Sequence, residues 1–231
     1  MPDNRTIVWD FPTRVFHWAL VAFVALAWIS AEADGVFFWL HVVFGEIVIA
    51  LVVFRLIWGF IGGRYARFAD FVRGPGAVKA HLASLLTRTP QQHIGHNPAA
   101  GWMILVLLLV AFFTSFTGLF LIEPPYIGPY AHYGNLNDDL HEGLAEILPA
   151  LVGLHVLAVL LMSLLMGENL TRAMWTGKKS TVAEAPPSDG GQALSGGGQA
   201  LSGGGIAPEG SRGRAVLAVV IAVFAALWPF L

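Results

Sequence analysis

Histidine is the residue type in this sequence that offers the widest choice of chemistry. The chain has eight histidines and no cysteine, which excludes disulfides, zinc–thiolate sites and iron–sulfur clusters. The histidines in or near long apolar stretches are His17, His41, His141 and His155. The other four are His81, His93, His96 and His132, in connecting segments that we predict to be loops. For this second group we favour ordinary solvated positions over a metal site.

The spacing of the first four histidines indicates two pairs. His155 follows His141 by fourteen positions, which in a helix gives about 21 Å of rise and a net rotation of about −40°. Both imidazoles therefore project from one face at two depths. If successive apolar stretches alternate in direction, His17 lies level with His155, and His41 lies level with His141. Each pair could clamp one planar macrocycle, while metal binding and a proton pathway remain alternatives.

The second apolar stretch carries further candidates beside His41. Arg55 also follows His41 by fourteen positions, so it faces the same way about 21 Å deeper, level with the inner pair. A charge there needs a partner, such as a haem propionate or an acidic side chain. Gly45, one turn after His41, would leave room for a macrocycle. For Glu46 we favour a pairing with a neighbouring helix over a proton or quinone site.

The elements that must position these residues are membrane spans. The sequence is 56% hydrophobic and 12% charged, whereas a soluble domain carries about 25% charged residues. A span needs roughly 20 apolar residues, and we predict five spans, at 15–33, 36–60, 100–122, 140–166 and 215–231. The net charge of −2 excludes a basic nucleic-acid-binding protein. The predicted fold class is an all-α integral membrane protein, a four-helix transmembrane bundle with a fifth C-terminal transmembrane helix.

The composition divides the chain into three regions. Residues 1–180 contain the four-helix domain. Residues 181–211 are rich in Gly, Ser and Pro and repeat Gln-Ala-Leu-Ser-Gly-Gly-Gly at 192–198 and 199–205, which is typical of a flexible linker. Residues 212–231 form the additional transmembrane helix.

The distribution of Lys and Arg predicts the orientation. Cations occur before the first span, between the second and third, and after the fourth, whereas segments 32–35 and 123–139 contain none. By the positive-inside rule the N-terminus is cytoplasmic, and with a fifth span the C-terminus is periplasmic.

Three short motifs resemble one family. Positions 8–18 hold Val-Trp-Asp-Phe-Pro-Thr-Arg-Val-Phe-His-Trp, positions 95–102 hold Gly-His-Asn-Pro-Ala-Ala-Gly-Trp, and His141-Glu142 is followed by His155. Together they resemble the bacterial cytochrome b561 family, which includes the b-type subunit of nickel–iron hydrogenases, over residues 6–180. The resemblance implies a bundle holding two non-covalent b haems in the bacterial inner membrane. It also implies that His17, His41, His141 and His155 are the axial ligands of the haem irons.

A haem with two axial histidines has no open iron position, which favours one-electron transfer over bond-making. We therefore expect an electron-transfer subunit of a hetero-complex rather than a stand-alone enzyme. It would connect the quinone pool with a periplasmic redox partner, a c-type cytochrome or an oxidoreductase. A superoxide:quinone oxidoreductase is an alternative, disfavoured because the outer segments are acidic. A structural or assembly subunit and a haem-free histidine-based transporter are the others.

Overall fold

The structure is a computed structural model that describes residues 5–32, 36–87, 93, 95–121, 134–180, 218 and 221. Within these residues the elements are two strands and seven helices. In chain order they are β1 (Arg5–Ile7), α1 (Phe11–Ser30), α2 (Val36–Ile61), α3 (Phe68–Phe71), α4 (Pro75–Leu86), α5 (Pro98–Leu119), α6 (Gly134–Met166), α7 (Leu170–Thr176) and β2 (Lys178–Ser180).

Four of the predicted spans are confirmed as long apolar helices. They are α1, residues 37–61 of α2, α5, and residues 138–166 of α6. Two begin at side-chain caps, because a helix leaves its first N–H groups without internal partners. The Asp10 carboxylate accepts from the Thr13 N–H at 2.9 Å, and the Asn97 side chain accepts from the Ala100 N–H at 2.8 Å.

The four spans pack in chain order. α1 packs on α2, α2 on α5, and α5 on α6. In the described part of the chain, α6 makes no comparably extensive backbone contact with α1 or α2. The backbone of α6 therefore lies farther from α1 and α2 than from α5, and we call this wider backbone separation the gap.

Both termini of the four-helix unit lie at the same end of the bundle. β1 pairs antiparallel with β2, with Thr6 opposite Lys179, and the Val8 and Trp9 N–H groups donate to the Gly177 carbonyl at 2.8 and 3.1 Å. Gly177 has φ of 81°, and a Cβ there would lie 2.7 Å from the Trp9 carbonyl oxygen. This small sheet departs from the all-α prediction, because three-residue strands are too short to give a sequence periodicity.

The segment between α2 and α5 contains helices α3 and α4 rather than loop alone. The prediction that His81 is a loop residue is wrong, since His81 lies in α4 and is 1% exposed. The segment carries five cations. Its polar composition is typical of a loop and gave no indication of helices. Residue 132 and all of the predicted linker lie outside the described residues. Of the predicted fifth span only Ala218 and Ile221 are described, and Ala218 is fully buried in the same apolar cluster as Val52 of α2.

Candidate functional site

The histidines predicted to form the outer pair lie face to edge across the gap beside α6. The ring centroids of His41 and His141 are 6.0 Å apart, and the ring planes are nearly perpendicular, at 88°. His41 Nδ1 is 2.7 Å from the Ala27 carbonyl oxygen, and His141 Nδ1 is 2.7 Å from the Thr114 carbonyl oxygen. A carbonyl only accepts, so each Nδ1 carries a hydrogen, and Nε2 is the ring nitrogen left to bind a metal.

The histidines predicted to form the inner pair are also brought together. His17 on α1 and His155 on α6 are close enough to interact electrostatically. His17 Nδ1 is buried and has no hydrogen-bond partner within the described residues. The Trp18 ring packs edge-on against the His17 imidazole with centroids 5.0 Å apart. The helix pairs that carry the histidines are thus the ones that the gap separates.

Two glycines define the space around the outer pair. A Cβ built on Gly45 meets nothing within 4 Å, so the space predicted beside this residue is open. A Cβ on Gly118 would lie 2.8 Å from His141 Cε1, so the absence of a side chain there lets the imidazole pack against α5. Open space on α2 and a closely packed ring on α6 favour a flat group between the two histidines.

The outer pair has the spacing that a two-histidine haem iron requires. With metal–nitrogen bonds of about 2.0 Å, two imidazoles on opposite faces of one iron have centroids roughly 6 Å apart. The centroid distance of 6.0 Å, the free Nε2 atoms and the open space at Gly45 all fit this group. The residues present therefore suit a haem held by His41 and His141.

Arg55 is a buried cation with a free donor. It is 2% exposed, and its guanidinium carbon lies 4.9 Å from the Phe68 ring centroid and 5.8 Å from that of Phe71. It also interacts electrostatically with Asp10. One terminal guanidinium nitrogen, Nη1, has no hydrogen-bond partner among the described residues. A carboxylate such as a haem propionate would supply the missing acceptor.

His96 lies in the non-helical segment before α5, as predicted, but it is half-buried against aromatic rings rather than solvated. Its ring centroid is 4.3 Å from that of Trp9 and 4.6 Å from that of Phe71. Burial, followed by the positive field of Arg55, Lys179 and the inner histidines, lowers the pKa of His96 to about 3. The imidazole is therefore neutral at physiological pH. A signal was available, because His96 directly precedes the Asn97 cap and so lies at the same bundle end as His17.

The partner that we predicted for Glu46 is not found among the described residues. Its Oε1 atom is buried and has no hydrogen-bond partner in the described part of the chain. The carboxyl group lies within the apolar span of α2, where an ionised acid is costly. This geometry leaves the pairing with a neighbouring helix unsupported.

Comparison with known proteins identifies relatives over most of the bundle. Residues 8–177 match the family model described as prokaryotic cytochrome b561. The "Probable Ni/Fe-hydrogenase 1 B-type cytochrome subunit" of Escherichia coli (strain K12) is 26% identical over 140 residues, covering 49% of this chain and 59% of the relative. The "Probable Ni/Fe-hydrogenase B-type cytochrome subunit" of Rhizobium leguminosarum bv. viciae is 25% identical over 139 residues, covering 49% and 58%.

The match extends over all four spans and both histidine pairs. The chain spans about three fifths of the length of these curated relatives, and no solved structure matches it significantly. Because the family model covers well over half of the sequence, this chain belongs to the prokaryotic cytochrome b561 family and is a multi-pass membrane protein whose family implies haem b and electron transfer.

Proposed function

We propose that this chain is a di-haem cytochrome b that transfers electrons between the quinone pool and a periplasmic redox partner, as a subunit of a hetero-complex. The observation that carries the proposal is the His41–His141 pair, with ring centroids 6.0 Å apart across the gap beside α6. A haem with two histidine ligands supplies reversible one-electron transfer at iron. Two such groups at two depths would connect the two membrane surfaces.

The four histidines act as ligands in two pairs, His17 with His155 and His41 with His141. The carbonyls of Ala27 and Thr114 support the outer pair, because they fix the tautomer that presents Nε2 to a metal. The inner pair is supported by its proximity and by the unpartnered Nδ1 of His17.

Arg55 and Gly45 have different tasks in this proposal. Arg55 donates to a propionate and balances its negative charge, since a buried guanidinium with a free nitrogen needs an anionic acceptor. Gly45 leaves the face of α2 open one turn from His41, where a side chain would occupy the space of the macrocycle.

The partner and location follow from the relatives and from charge. The two relatives above are named as hydrogenase cytochrome subunits, so we propose a periplasmic oxidoreductase of that kind, or a c-type cytochrome, as the partner. The membrane is the bacterial inner membrane, with the N-terminus cytoplasmic. Segments 32–35 and 123–139 contain acids and no Lys or Arg, a field that favours a basic protein partner over superoxide.

The regions beyond the bundle complete the proposal. Residues 181–211 form a flexible linker and residues 212–231 form a fifth transmembrane helix with a periplasmic C-terminus. The complete burial of Ala218 in the bundle's apolar cluster supports contact between this last region and the bundle.

Haem content tests the proposal directly. We expect a dithionite-reduced minus oxidised spectrum of a b-type cytochrome, and a pyridine haemochrome assay that counts two haems per purified chain. A chain that folds and inserts without haem would contradict the proposal and support a histidine-based transporter.

Single substitutions test the pairing. His41→Ala and His141→Ala should remove the same haem, and His17→Ala and His155→Ala should remove the other, as judged by the α-band and the redox titration. His81→Gln is the matched control, because His81 is buried in α4 outside both pairs, and it should retain both haems. Loss of the same haem from both His17→Ala and His141→Ala would contradict the assignment.

A further inference from the structure

A cavity of about 560 Å³ lies outside both histidine pairs, at the bundle end that holds the two termini. It is lined by residues of the segment after α2, of α4 and of the segment before α5, including Arg64, Tyr65, Phe71, Arg73 and His93. Pro98, the first residue of α5, is also part of its wall. Because α2 ends and α5 begins here, the cavity lies at the depth of the lipid head groups of one leaflet.

The charge around this cavity is predominantly positive. Arg64 and Arg73 line it. The one acidic lining residue in the described part of the chain is Asp70, whose carboxylate forms an ion pair with Arg67 Nε at 2.9 Å. Lys179 donates from Nζ to the carbonyl of the lining residue His93 at 3.1 Å, but its charge has a partner in Glu168 at 3.9 Å, so the positive charge at the cavity comes from Arg64 and Arg73. The unbalanced charge favours an anion.

Helix α4 points its positive end at the same place. Its N-cap is Gly74, which supplies no side-chain hydrogen bond, and its first turn contains no acid. Ala77 in that first turn lines the cavity. The Ala77 and Val78 N–H groups already donate to the Gly74 carbonyl at 3.0 and 3.4 Å, so the helix contributes the positive end of its dipole rather than free N–H groups.

Two imidazoles, those of His93 and His96, also line the cavity. His93 Nε2, His96 Nδ1 and His81 Nδ1 are inaccessible and have no hydrogen-bond partner within the described residues. The His81 and His93 rings are 5.5 Å apart. Burial first, then the nearby His81, Lys179 and Arg73, lowers the pKa of His93, so this ring is neutral and can present one N–H to an acceptor.

We infer that this cavity binds a phosphate-bearing anion, and that its occupant in the membrane is the head group of an anionic phospholipid. Arg64 and Arg73 would contact the phosphate oxygens, because a guanidinium fork matches their geometry. Basic pockets at the ends of spans on the cytoplasmic side are suited to such head groups. The inference is independent of the haem assignment, since no residue of either histidine pair lines the cavity.

Lipid-dependent thermal stability tests the inference on the full chain in dodecyl maltoside. We expect phosphatidylglycerol to raise the unfolding temperature of the native chain, phosphatidylcholine to have little effect, and inorganic phosphate at millimolar concentration to have little effect. In the double variant Arg64→Gln/Arg73→Gln most of the phosphatidylglycerol shift should be lost. An equal shift with phosphatidylcholine would overturn the inference, and an equal shift with inorganic phosphate would show a free-anion site and overturn the lipid assignment.

Two further variants keep the test decisive. Arg172→Gln removes one cation at the same end of the bundle, on exposed α7 and outside the cavity lining, and it should keep the full shift. Arg64→Lys/Arg73→Lys preserves both charges, and it should retain a larger shift than the glutamine pair even if that pair folds poorly. A shift that survives the glutamine pair, or that Arg172→Gln lowers equally, would contradict a specific cavity.

Discussion

At the scale of single residues, the outer histidine pair shows how backbone carbonyls orient imidazole rings. Each imidazole of His41 and His141 gives its Nδ1 hydrogen to a carbonyl at 2.7 Å. These bonds restrict rotation of both rings and select one neutral tautomer. The Nε2 atoms that we propose as ligands are thus oriented by α1 and α5, which carry Ala27 and Thr114, as well as by the helices that carry the histidines.

Two glycine-to-alanine substitutions distinguish the effect of a clash within the protein from the effect of filling the space for a cofactor. In Gly118→Ala the new methyl group would lie 2.8 Å from His141 Cε1, so we expect about 1–3 kcal/mol of destabilisation with or without haem. In Gly45→Ala the methyl group meets no protein atom within 4 Å. The haem-depleted protein should therefore keep its stability or gain up to about 1 kcal/mol, because alanine favours a helix.

Thermal unfolding of both variants, prepared with and without haem supplementation, measures this contrast. Gly45→Ala should lose outer haem although its haem-depleted form remains stable. Gly76→Ala in α4, where a Cβ also meets nothing within 4 Å, is the control and should retain full haem content. Unchanged haem content in Gly45→Ala would show that the macrocycle does not occupy the open space beside Gly45.

His96 makes stability depend on pH in a defined direction. Its pKa falls from 6.5 to about 3 in the folded chain, first by burial and then by Arg55 and Lys179. Between these values the unfolded chain binds the proton and the folded chain does not, so stability is complete above pH 6.5 and decreases as the pH falls toward 3. In His96→Gln the loss of unfolding temperature between pH 7 and pH 5 should be smaller than in the native chain. His81 and His93 are present in both proteins and contribute equally to both pH profiles. Identical profiles would therefore contradict a role for His96.

The residue scale also shows what spacing can and cannot predict. A fourteen-residue interval fixes depth and face on one helix, so the spacing of His141 and His155 is enough to place both on one side of α6. For His96 the sequence indicates the end of the bundle but not the packing, because its neighbours Trp9 and Phe71 belong to separate segments. The partner of Glu46 stays a prediction for the same reason, since periodicity reports a direction and not the atoms that lie there.

At the scale of elements, Asp10 connects helices α1 and α2. In the sequence its role as the cap of α1 can be recognised, but its bond to α2 cannot. Its carboxylate caps α1 through the Thr13 N–H at 2.9 Å and accepts from Trp58 Nε1 of α2 at 3.1 Å. The same group faces the buried Arg55 electrostatically. The beginning of α1 is therefore linked to the inner half of α2, where the apolar core is centred.

Comparison of two cap substitutions tests this link. Asn97→Ala removes a cap alone and should cost about 0.5–2 kcal/mol. Asp10→Ala should cost more, because it also leaves the buried indole N–H of Trp58 unsatisfied, adding about 1–3 kcal/mol. Asp10→Asn keeps one acceptor oxygen, which is enough for the cap, but its amide nitrogen cannot accept from Trp58, so it should recover only the part of the loss that comes from the cap. Chemical or thermal unfolding in detergent measures the order, and equal losses for the two alanine variants would show that the Trp58 bond is without effect.

At the scale of the whole molecule, hydropathy was sufficient for the four spans and insufficient for their surroundings. An apolar run of about 20 residues has a single outcome in a bilayer, which is why the bounds of α2 and α5 agree with prediction to within a few residues. Helix α4 and the β1–β2 pair lie outside the apolar spans, at the end of the bundle. There the backbone conformation depends on charges, helix caps and local strand pairing together. Their formation depends on contacts such as that between Trp9 and Gly177, which composition does not encode.

The absence of cysteine makes the orientation of the whole chain testable without background. Glu32→Cys lies at the end of α1 away from the termini, and Lys178→Cys lies in β2; both native side chains are exposed. With a cytoplasmic N-terminus, a membrane-impermeant maleimide should label Glu32→Cys in intact spheroplasts and Lys178→Cys only after permeabilisation. Thr6→Cys is the internal control, because β1 pairs with β2 and must share the accessibility of residue 178 in either orientation. Labelling of Lys178→Cys and Thr6→Cys in intact spheroplasts, with Glu32→Cys protected, would invert the orientation and place the anionic-lipid cavity in the outer leaflet.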